Sequence, residues 1–147
     1  MKKQILITLF LITGATSLMA QKAEVFSSSG TAIKGYDPVS YFKEGKPVKG
    51  NEKLSYNWNN AKWCFASKDN LDAFAKSPEK YSPQYGGYCA YGMSEGHKAP
   101  TDPNAWTIVD GKLYLNYSLD IKEKWNKNQK ERITQAEKNW PQLKDKE

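Results

Sequence analysis

Histidine occurs once in this chain, at His97, and cysteine twice, at Cys64 and Cys89. Nucleophilic catalysis needs a nucleophile with a base beside it. With so few of either, the cysteine–histidine pairing to consider is Cys89 with His97, eight residues apart, oriented by Asp37 or Asp102. No local pattern around those residues supports it. A phosphate-cradling glycine motif and a paired-carboxylate pattern are also missing, so the sequence presents no convincing catalytic constellation and reads as a non-enzyme. Long apolar runs are equally scarce. Only Ile5 to Ile12 is nearly unbroken, and that is too short to span a bilayer. Internal repeats and low-complexity tracts do not occur. Positive charge is in modest excess, with 22 Lys and Arg against 16 Asp and Glu for a formal +6. Nucleic-acid binding would want a denser basic stripe.

The one apolar run has a specific setting. It follows Met1-Lys2-Lys3 and is followed by small and polar residues up to Ala20, which is the layout of a secretory signal peptide. Cleavage after Ala20 is expected, and the absence of a cysteine there excludes lipoprotein acylation. The expected product is exported, periplasmic or secreted, with no stable membrane insertion after signal cleavage. Loss of Lys2 and Lys3 would lower the formal charge from +6 to +4 (6 − 2). Residues 21–32, with Ser27-Ser28-Ser29-Gly30, read as a flexible lead-in. Every Trp and Tyr lies beyond Gly35. That places one aromatic-rich domain at 33–141, followed by a polar tail at 142–147.

Within that domain the periodicities alternate. Pro38 biases Asp37 away from the helical region, so a turn at Tyr36-Asp37 precedes a short helical stretch. Leu54, Tyr56 and Trp58 alternate, Asn59-Asn60 intervenes, and Trp63 and Phe65 alternate again, which predicts a hairpin. Ser67 can cap a helix carrying Leu71, Phe74 and Ala75, with Pro78 as its stop. A second helical segment is expected over Gly87–Glu95. The strongest local signal is Trp106 to Leu115, two β-rich runs joined by Asp110-Gly111. A final helix opens at an Asp120/Glu123 capping box, buries Ile121, Trp125, Ile133, Ala136 and Trp140, and ends at Pro141. Its lysines are interleaved with glutamates, as on a solvated face. The predicted class is α+β: small antiparallel hairpins packed with short helices and a longer C-terminal helix.

The densest stretch is Tyr81 to Met93, with Tyr85-Gly86-Gly87-Tyr88-Cys89-Ala90 at its centre. It joins Gly35-Tyr36-Asp37-Pro38-Val39, Tyr41-Phe42, Trp63, Phe65, Phe74, Pro78, Tyr81, Trp106 and Asp110 to Asn116 in a set that resembles the YHS domain family in its exported, single-domain form. The tripeptide that names the family does not occur. The resemblance implies a small α+β module. In some members, it further implies cysteines that bind transition metals: one after the Asp-Pro-Val stretch, others after the Phe at the start of the central helix. Here those places hold Ser40, Ala66 and Ser67, so that ligand set is missing and a metal role does not transfer through it.

Other sites can be drawn from the residues themselves. Cys89, Met93 and His97 recur at spacings of four, one face of a continuous helix. Thiolate, thioether and imidazole suit copper, and imidazole also suits zinc. Against this, cysteine and methionine are common core residues, and Gly96 is placed to end the helix before His97. A Cys64–Cys89 disulfide is the competing expectation, permitted by export and exclusive of a Cys89 metal site. A third reading is a metal-free module for a small ligand or protein, with Tyr36, Asp37, Tyr41 and Tyr88 as the candidate binding residues and Tyr85 and Tyr91 beside them. In that reading the glycines, tyrosines and Cys89 serve the fold.

Overall fold

Asn59 and Asn60 adopt φ of 51° and 60°, and Asp110 and Gly111 adopt 50° and 74°. Both are left-handed pairs that let a two-residue loop match the twist of its strands. The first closes β3 (Asn51–Trp58) onto β4 (Ala61–Phe65), and the second closes β5 (Asp102–Val109) onto β6 (Lys112–Asn116). The structure is a computed structural model that describes residues 23–146. The expected signal peptide at 1–20 lies outside the described residues. The fold is α+β, with a four-stranded sheet in which β1 (Ser27–Ser28) and β2 (Thr31–Ala32) join the first hairpin in the order β1-β2-β4-β3, and a separate β5-β6 ribbon. Among the described residues no helix is long and apolar enough to cross a membrane.

Residues 23–32, expected as part of a flexible lead-in, are instead woven into the fold. Strands β1 (Ser27–Ser28) and β2 (Thr31–Ala32) form a tight antiparallel pair, and β2 runs parallel to β4 through Thr31 and Lys62. Val25 and Ala32 are buried. Of the residues that suggested flexibility, Ser27 and Ser28 form β1 itself, and Ser29 and Gly30, both left-handed, make the turn into β2.

The helices follow their caps. A short helix α1 (Ser40–Lys43) follows the Asp37-Pro38 turn. Ser67 Oγ accepts the Asn70 N–H at 3.2 Å and opens α2 (Lys68–Lys76), as the sequence predicts. Pro78, expected only as a stop, also begins α3 (Pro78–Tyr81), because the first helical position requires no N–H. The helix expected over Gly87–Glu95 shrinks to α4 (Ala90–Ser94). Residues 85–87 are left-handed, Tyr88 is extended, and neither conformation continues a right-handed helix. The last helix is divided at Asn128 into α5 (Leu119–Lys127) and α6 (Gln129–Leu143). Its cap is Ser118, whose Oγ accepts the Ile121 N–H, rather than Asp120. Helix α6 also runs through Pro141 to Leu143 rather than ending there.

Strand β6 divides the interior. Successive side chains on a strand point to opposite faces. Leu113 and Leu115 enter a first cluster with Val39, Tyr41, Trp63, Phe65 and Phe74. Tyr114 enters a second with Tyr85, Met93, Trp125 and Ala136. The Tyr85–Cys89 segment runs beside this second cluster.

Candidate ligand cleft at the Tyr85–Cys89 segment

Tyr85, Gly86 and Gly87 have φ of 58°, 63° and 84°, three left-handed residues in succession. A left-handed tyrosine is held only where its surroundings determine it. Here the surroundings are aromatic: its ring packs 5.9 Å from Tyr114 and 6.2 Å from Trp140, centroid to centroid. Gly86 is required by contact as well as by conformation. A Cβ built on it would lie 1.8 Å from the Glu24 carbonyl oxygen, because the N-terminal segment passes directly over this glycine. The Phe26 N–H donates to the Gly86 carbonyl at 2.8 Å, and the Tyr88 hydroxyl donates to the Ala23 carbonyl at 3.0 Å.

On one side of this segment lies a cleft of about 140 Å³, room for a small headgroup rather than a drug-sized molecule. Trp58 and Trp63 wall it from the first cluster, Tyr85 and Trp140 from the second, and Glu24 stands at its edge. Trp58 and Trp140 are half-buried while Trp63 and Tyr85 are buried, so the walls run from partly exposed rings to buried ones. Trp63 is anchored by its indole N–H, which donates to the Trp58 carbonyl at 3.0 Å. Among the described residues the Tyr85 hydroxyl has no hydrogen-bond partner. Burial, with Tyr114 and Glu137 nearby, pushes the Tyr85 phenol well above the usual tyrosine range.

On the other side sits Cys89. Its Sγ accepts the Gly92 N–H at 3.4 Å and the Tyr117 N–H at 3.3 Å, and its thiol faces the Asn116 carboxamide oxygen at 3.6 Å. The sulfur therefore caps α4 and ties it to the end of β6. Met93 is fully buried in the second cluster. Gly96, at φ 89°, ends the helix, and the His97 N–H closes it onto the Gly92 carbonyl at 3.0 Å, leaving His97 exposed. The three residues thus do not lie along one continuous helix, although the His97 ring reaches within 3.5 Å of the space a Gly92 Cβ would fill. Among the described residues no group of three His, Cys, Asp or Glu side chains is arranged to hold a metal ion. Both cysteines are buried free thiols, so the Cys64–Cys89 disulfide does not form here. Burial pushes the Cys64 thiol up, opposed by Lys62.

The candidate binding residues of the tyrosine reading are divided between the two clusters. Asp37 is fully buried, and its carboxylate accepts N–H bonds from Val39 at 2.8 Å, Ser40 at 3.4 Å, Ala66 at 2.8 Å and the Asn70 amide at 2.7 Å. The carboxylate thus caps the turn expected at Tyr36-Asp37, as aspartates in turns do, and also binds α2 through Asn70. Tyr41 is buried and donates to the Pro103 carbonyl at 2.8 Å, with its phenol raised by burial and by nearby Tyr36. Tyr36 stacks under the Lys49 ammonium at 5.0 Å. Tyr88 lies apart from these, against Phe26 and Trp140. Sequence reasoning missed Glu24, Trp58 and Trp140 as site residues. No spacing rule joins residues so far apart in the chain; the only available signal was the density of aromatics itself. Compared with known proteins, the chain matches no family model, no curated protein and no solved structure.

Proposed function

We propose that this protein is an exported, non-enzymatic binding module of the YHS type, and that it takes a small ligand in the aromatic cleft beside Tyr85. The observation that carries this reading is the cleft itself, walled by Trp58 and Trp63 from one cluster and by Tyr85 and Trp140 from the other. Aromatic walls combined with placed polar groups, here Glu24, Asn59, Ser82 and Gln84, are the usual make-up of small-molecule sites. The glycines, Tyr88 and Cys89 serve mainly to hold that wall: Gly86 admits the N-terminal segment, and Cys89 is occupied with two backbone donors. A transition metal, copper before zinc, is the second reading. It is favoured by one contact, the approach of the His97 ring to Gly92, whose N–H is bonded to Cys89.

Native mass spectrometry on protein purified anaerobically from its own compartment, with thiol counting, tests both. A retained small organic mass with two free thiols supports the cleft. Stoichiometric copper or zinc, lost on Cys89→Ser with the fold intact, supports the metal. Absence of the protein from exported fractions would refute the first clause.

A further inference from the structure

Resting on the cleft reading, we infer that its ligand class is a small methylated ammonium cation of the choline type. The argument is one of charge complementarity. The cleft presents three indoles and one phenol beside the uncharged polar side chains of Asn59, Ser82 and Gln84, and among the described residues Glu24 is its only charged lining residue. No lysine or arginine among the described residues lines it, in a chain where 22 such residues outnumber 16 acids. An anion would meet a carboxylate and the negative faces of aromatic rings. A neutral apolar group would gain from the rings but nothing from Glu24. A quaternary ammonium gains from both, since ring quadrupoles attract cations most strongly where water is excluded, and tryptophan does so best.

The geometry suits the class in two further respects. The walls come from separate elements, the β3–β4 hairpin and the C-terminal end of α6, and Trp58 pairs with Trp63 at 5.8 Å while Trp140 pairs with Tyr85 at 6.2 Å. Each wall is thus already held by its own packing, which limits the ordering that binding must impose. The volume of about 140 Å³ suits a compact headgroup. Elsewhere on the molecule cations already sit over rings, as Arg132 does over Tyr91 at 3.9 Å and Lys98 over Tyr88 at 4.8 Å. In this cleft none of the lining residues supplies one.

The test is titration of the full chain with choline chloride, followed by intrinsic fluorescence and by the indole N–H resonances of Trp58, Trp63 and Trp140. The neutral isostere 3,3-dimethyl-1-butanol is run in parallel. Choline is expected to saturate and to shift all three indoles, with the isostere at least tenfold weaker. Glu24→Gln, at a half-buried edge position, should weaken choline several-fold, remove part of its salt dependence and leave the isostere unchanged. Trp140→Leu should weaken choline at least tenfold. Should that variant unfold, Trp140→Phe, which keeps a ring, is expected to weaken it less. Equal binding of choline and isostere would overturn the cation assignment and leave the cleft as a binding site. No indole shift with either probe at millimolar concentration would overturn both.

Discussion

Replacing Gly86 with alanine tests the central packing arrangement. The new methyl would be placed 1.8 Å from the Glu24 carbonyl oxygen, well inside van der Waals contact, and the obstacle is backbone rather than a movable side chain. The clash is relieved only if the N-terminal segment lifts. Lifting loses the Phe26 N–H bond to the Gly86 carbonyl, worth about 1 kcal/mol. It also re-exposes Val25, now 4% exposed, at about 2 kcal/mol. A left-handed alanine adds roughly 1 kcal/mol of strain, so the expected loss is about 4 kcal/mol. Gly30 is an internal control. It is also left-handed, at φ 80°, but nothing lies within 4 Å of its missing Cβ, so Gly30→Ala should lose only the roughly 1 kcal/mol of strain. Urea denaturation of the two variants measures the difference, and amide exchange at Phe26 should rise in Gly86→Ala alone. Equal losses in the two variants, or a Phe26 amide still protected, would refute the reasoning.

Other outcomes follow from the buried polar groups. Asp37→Ala leaves the Asn70 amide and the Ala66 N–H without their acceptor and should cost about 3 kcal/mol; in the double variant with Asn70→Ala, urea midpoints should recover part of that loss, and simple additivity would argue against the network. Cys89→Ser can keep both cap bonds from Gly92 and Tyr117, so it should lie within about 1 kcal/mol of the parent, whereas Cys89→Ala should lose about 1–2 kcal/mol. A serine variant less stable than the alanine one would sink the cap. A thiol reagent should find no fast-reacting cysteine in the native protein and two on unfolding, since both are buried and free. Finally, Tyr41 and Tyr85 are held neutral by burial, with folded values above the ordinary one. Their contribution to stability is therefore complete below about pH 10 and declines above it, by about 1.4 kcal/mol per pH unit for each. Denaturant midpoints measured up to pH 11 should fall accordingly, and an unchanged midpoint would contradict their burial.

Much of the local structure was legible in the residues because its determinants are local. Asn59-Asn60 and Asp110-Gly111 tolerate the left-handed φ of tight hairpins, and Ser67 carries the oxygen that starts α2. Errors arose where a non-local contact overrode a local signal. The Gly87–Glu95 helix is shortened at its start, where Gly87 is left-handed and its carbonyl accepts from the Thr101 hydroxyl while the Cys89 N–H donates to the Ala99 carbonyl. The serine-rich lead-in is ordered because Thr31 finds a parallel partner in Lys62. Ser118 caps α5 in place of Asp120 because the chain leaves β6 extended and turns two residues sooner.

The candidate site divides in the same way. Asp37 as a turn cap and Gly96 as the end of the helix before His97 could be read from the chain, since each depends on neighbours within a few residues. The sequence by itself therefore determined an α+β class, two hairpins, the main helix starts and an aromatic core. Only the tertiary structure decided that β6 splits this core in two and that Cys89 is occupied by donors from both α4 and Tyr117. It alone brought Glu24, Trp58, Tyr85 and Trp140 around one cleft. The physical reason is range: turn and cap preferences act over three or four residues, whereas the cleft exists only where side chains more than a hundred positions apart are packed together.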